Sequence, residues 1–116
     1  MAGTMTDYDL ITELQSKIQQ LDKSVKMLRT SGTEYAVFEK DYKVLLREEC
    51  LKLRDDGTAI GMIDKVAYGI PSVANARFKR DVAEVVYKAN LEAINSLKLQ
   101  IRLLDNQISR EWGQSQ

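Results

Sequence analysis

The chain has 116 residues, room for one domain of ordinary size and too few for two. Seventeen Lys and Arg balance seventeen Asp and Glu, so the formal net charge is zero. That balance argues against bulk attraction to DNA or a membrane surface, and against an acidic mimic of DNA. With no histidine at all, imidazole acid–base chemistry, Ser-His-Asp and Cys-His nucleophiles and nearly every zinc site are excluded.

A lone Cys50 cannot close an internal disulfide, which sets a reducing cytoplasm as the expected location. No run approaches the ~18 apolar residues of a membrane span, and the N-terminus lacks the basic-then-apolar layout of a signal peptide. Ala2-Gly3-Thr4 ahead of Met5 reads as an expression scar or a native start. Residues 1 to 5 are therefore set apart from residues 6 to 116, which read as a single helical domain.

The first predicted helix covers about 6 to 29. Its apolar residues Ile11, Leu14, Ile18, Leu21, Val25 and Leu28 step by three and four, the spacing of an a/d seam. Thr6 with Asp9 makes a start signal of the capping-box kind. Ser31-Gly32 is the expected stop. A second helix covers about 33 to 54, with a main stripe of Tyr35, Phe38, Tyr42, Leu45, Leu46 and Leu53. Val37, Val44 and Leu51 form a second stripe on another face, and a helix with two apolar faces needs more than one neighbour.

A short third helix is expected over about 58 to 67, with Ile60, Ile63 and Val66 inward and Gly69 as a left-handed stop. Gly61 inside it costs about 1 kcal/mol against alanine, which a close helix–helix approach would justify. Pro71 then suits the first turn of a helix running over about 71 to 112. At ~1.5 Å per residue that last helix is roughly 60 Å long. Its seam passes through Val73, Ala76, Arg80, Ala83, Tyr87, Asn90, Ile94, Leu97, Ile101, Leu104 and Ile108. Glu13–Lys17, Asp22–Lys26, Glu39–Lys43, Glu48–Lys52 and Glu84–Lys88 place an acid four residues before a base, the favourable order on a helix surface.

No segment alternates with period two, so the expected class is all-α. The economical assembly is an elongated antiparallel helical hairpin with the short helix at its corner. That leaves Val82, Val86, Ala89 and Ala93, with Leu99, Leu103, Val37, Val44 and Leu51, surplus to a two-helix seam. Burial of such side chains is worth ~25 cal/mol per Å². A homodimer closing into a helical bundle through Val37, Val44, Leu51, Leu99 and Leu103 is therefore expected.

Candidate chemistry is sparse. Glu48, Glu49, Asp55, Asp56 and Asp64 read as solvated helix ends and a turn in preference to a magnesium cluster. Acids upstream of Cys50 raise a thiol's pKa and blunt its reactivity, so packing near the stripe of its helix is its expected role. The stretch from Lys65 to Lys79 resembles a helix-turn-helix only superficially, because Lys65 and Asn75 fall where small and apolar residues belong. Arg54, Lys65, Arg77, Lys79 and Arg80 are the densest positive set and a candidate grip on phosphates, diluted by Asp55, Asp56 and Asp81. No glycines follow a strand in the manner of a phosphate loop, and no cofactor or metal is expected.

Asp64-Lys65-Val66-Ala67-Tyr68-Gly69, then Arg80-Asp81-Val82-Ala83-Glu84-Val85-Val86-Tyr87-Lys88, then Gln107-Ile108-Ser109-Arg110-Glu111-Trp112 resemble small all-helical accessory proteins of temperate phages of Gram-positive bacteria. The likeness covers residues 64 to 112. It implies an accessory role in a bacterial host cell, beside replication or recombination, and carries no catalytic residue. The leading expectation is a non-enzymatic protein-interaction module, with nucleic-acid binding through the basic corner as the alternative.

Overall fold

The computed structural model describes residues 6 to 114. Among them the order is α1 (Asp7–Asp55), a 3-10 turn (Ile60–Met62), α2 (Ile63–Tyr68) and α3 (Pro71–Gln114), with no strand. The start of α1 is capped as the sequence suggests: the Thr6 amide donates to Asp9 Oδ2 at 3.3 Å and the Asp9 amide to Thr6 Oγ1 at 3.1 Å. No stop follows at Ser31-Gly32; the first two predicted helices are one.

That single helix ends instead at Gly57. The Gly57 amide donates to Arg54 O and the Thr58 amide to Leu53 O, while Gly57 takes φ +86°. Those two bonds and the left-handed residue make a Schellman cap, a conformation that favours glycine. Gly69, expected to be left-handed, has φ −87°. Short-range bonds from the Gly69 amide to Val66 O and from the Ile70 amide to Ala67 O carry the chain on into Pro71.

The described chain forms two compact units. One joins residues through Leu28 with those from Ala89 onward; the other is Arg29–Lys88. In the first, Leu10 is fully buried, with Ile94 and Leu97. The inward row of α1 is Leu10, Leu14, Lys17, Leu21, Ser24 and Leu28, while Ile11 and Ile18 are exposed. This corrects the predicted seam at Ile11 and Ile18; Leu14, Leu21, Val25 and Leu28 are half-buried. Both rows share Leu14, Leu21 and Leu28, and the rotation that buries Leu10 turns Ile11 and Ile18 outward. On α3 the seam from Ile94 to Ile108 is buried or half-buried as expected.

In the second unit Tyr42, Ala67, Val73 and Ala83 are buried, and so is the polar Ser31. Tyr35 meets Glu84 and Tyr87, and one heptad later Tyr42 meets Arg80, so these stretches of α1 and α3 run antiparallel. Gly32 explains itself here. A Cβ on it would lie 3.2 Å from Tyr87 Cε1, so the glycine is a notch for that ring. Gly61, by contrast, has open space where its Cβ would be. Ile60 and Val66, expected to face inward, are exposed. Residues 60 to 62 wind at three residues per turn, which breaks the α-helical phase counted from Ile60; Ala67 takes the buried place.

Surface ion pairs form at Glu13–Lys17, Glu39–Lys43 and Glu84–Lys88. Lys52 turns to Glu49 at 3.2 Å and not to Glu48. Such pairs are worth a few tenths of a kcal/mol each.

Candidate interaction surface

Apolar exposure is the dominant feature of the surface. Among the described residues seven apolar side chains are buried and eighteen large ones are exposed. Val37, Val44 and Leu51 are seven residues apart on α1 and all exposed, so they form one row along the helix. On α3, Phe78 (68% exposed), Val82, Val85 (66%) and Val86 form another. A shallow groove of about 150 Å³ in this unit has Phe38 on its α1 side and Phe78, Val82, Ala83 and Val86 on its α3 side. Ser31, Glu34 and Lys79 complete the lining. The sequence reading picked out Val82 and Val86 but missed Phe78 and Val85. The signal was available, since Phe78, Val82 and Val85 step by four and three, opposite the inward seam.

In the other unit Leu99 and Leu103 are exposed on α3, with Leu103 beside Asn106, Ser109 and Arg110 in a shallow depression. Contiguous exposed apolar patches, where they occur, mark interaction sites on soluble proteins. Among the described residues no helix is long and apolar enough to cross a membrane.

The five basic candidates have different surroundings. The Arg80 guanidinium donates to Asp81 Oδ1 through Nε at 3.0 Å and through an Nη at 2.8 Å, and lies 4.6 Å from the centre of the Tyr42 ring. The carboxylate raises its pKa further, against the opposing effect of burial. Arg77 stacks 5.5 Å from the Tyr68 ring, tying α3 to α2. Lys79 lines the groove. Arg54, in the last turn of α1, and Lys65 on α2 are exposed. Arg77 thus ties α3 to α2, and Arg80 ties α3 to α1.

A polar cluster flanks the same unit. The Tyr35 hydroxyl donates to Glu84 Oε2 at 3.0 Å, and Lys88 Nζ lies 2.8 Å from Glu84 Oε1. Lys88 first, then Tyr35, hold the Glu84 carboxyl below its ordinary 4.5. Donation to that carboxylate is the main cause that pushes the Tyr35 phenol above 10.0. A raised phenol pKa means the bond's contribution is whole below pH 10 and is lost as pH rises through the folded-state value. Subtracting the tyrosinate absorbance titration of Tyr35→Phe from that of wild type should isolate one phenol with a midpoint above 10.0. A midpoint at or below 10.0 would contradict the hydrogen bond.

Cys50 is a half-buried free thiol with Sγ 4.0 Å from Asp64 Oδ1. Among the described residues no group of three or more Cys, Asp or Glu is placed to hold a metal ion. No family model, curated protein or solved structure matches the chain.

Proposed function

We propose that this chain is a non-enzymatic helical protein-interaction module that pairs with a second copy into a larger helical core and binds a protein of a phage or its bacterial host in the cytoplasm. One observation carries the reading: the exposed rows Val37, Val44 and Leu51 on α1 and Phe78, Val82, Val85 and Val86 on α3. Covering apolar surface is worth ~25 cal/mol per Å², and helices from a partner are the usual cover. Leu99 and Leu103 offer a further apolar contact in the other unit. The phage setting is supported by the resemblance over residues 64 to 112.

Nucleic-acid binding through Arg54, Lys65, Arg77, Lys79 and Arg80 is the competing outcome of one experiment. Gel shifts with duplex and single-stranded DNA between about 50 and 200 mM salt should give only weak, unsaturated binding that salt abolishes. Val85→Glu, on the outer row of α3, should meanwhile weaken chain–chain association in sedimentation velocity. A saturable shift at the higher salt, lost in Arg54→Glu with Lys65→Glu, would overturn the protein-binding reading.

A further inference from the structure

We infer that a second copy of this chain docks on the outer face of α3, helix against helix and antiparallel, about a two-fold axis between Val82 and Val85. The inference rests on the interaction reading above and gives it a register. Phe78, Val82 and Val85 repeat by four and three, as a packed seam does, yet all three are exposed. The other seam of the same helix, Val73, Ala76, Arg80, Ala83 and Tyr87, is already buried or half-buried. One helix therefore carries two seams, and only one of them is buried or half-buried.

Charge fixes the orientation. In an antiparallel pair Val82 meets Val85 of the second copy, and Val85 meets its Val82. The flanking positions that then face each other are Asp81 and Lys88 of the second copy, twice over by symmetry. A parallel pairing would set Asp81 beside Val86 and leave Lys88 without an acid. On the opposite flank Lys79 lies along Val86 of the second copy, where its methylene stem covers the valine and its ammonium stays in water. Within one chain Asp81 pairs with Arg80 and Lys88 with Glu84, each at 2.8 Å. Asp81 and Lys88 are more than half exposed in those pairs. Association would join them into one string of alternating charge, Arg80, Asp81, then Lys88 and Glu84 of the second copy.

Charge reversal tests the register by sedimentation equilibrium, with circular dichroism confirming that each variant keeps the wild-type helix content. Asp81→Lys alone and Lys88→Glu alone each set like charges together twice and should weaken association about tenfold. The double variant, and an equimolar mixture of the two single variants, should recover wild-type association. Single variants that associate as wild type does, or a double variant as weak as the singles, would overturn the register while leaving the interaction reading intact. A wild-type chain that does not self-associate would remove the register and the self-pairing together.

Discussion

Tyr42→Ala should lower the unfolding free energy by about 3 kcal/mol, near the value for removing a buried aromatic ring. Tyr42 is buried in the row of α1 that faces α3, and its ring carries the Arg80 guanidinium at 4.6 Å. Truncation opens a cavity and leaves a cation over it. The loss therefore has two parts, packing and a cation–π contact worth about 0.5–1 kcal/mol or more when desolvated. Tyr42→Phe keeps the ring under Arg80 and should cost less than about 1 kcal/mol. Urea midpoints of the two variants measure the difference. Equal losses would mean that the ring's packing is not what holds α1 to α3 there.

Gly32→Leu is the second large effect. Glycine within a helix is worse than leucine by nearly 1 kcal/mol, so propensity alone predicts a gain. Contact reverses the sign: a Cβ at 32 already meets the Tyr87 ring at 3.2 Å, and the ring leans on Tyr35 at a centroid distance of 5.9 Å. Forcing a leucine into that notch should cost about 1–3 kcal/mol. Removing the obstacle should restore the propensity gain, so Gly32→Leu should be less harmful in a Tyr87→Ala background than in wild type. Identical effects in both backgrounds would mean that the Tyr87 ring does not set the cost at position 32.

Gly32 also marks where sequence reading reaches its limit. Ser31-Gly32 has the composition of a helix stop, and only the partner helix reveals the pair as a buried serine and a seat for Tyr87. Local signals with local causes were legible: the Thr6–Asp9 cap, the turn at Gly57, Pro71 at the start of α3, and the α3 seam. The α1 seam was legible except at Ile11 and Ile18, because Leu10 and Ile11 begin two rows of equal spacing and tertiary packing chooses between them. The basic set was legible as composition but not as a surface, since the rings of Tyr42 and Tyr68 engage two of its members. Val37, Val44 and Leu51 were picked out by heptad spacing, Leu99 and Leu103 as lying off the main seam, and all five are exposed. Phe78 and Val85 were passed over because the surplus stripe of α3 was counted through Val82, Val86, Ala89 and Ala93, a row that leaves both out.

Sedimentation equilibrium of the wild-type chain at micromolar concentration asks whether a second copy covers the outer row of α3. A mass near twice 13.2 kDa is expected, falling toward 13.2 kDa on dilution. A constant 13.2 kDa across the concentration range would contradict it.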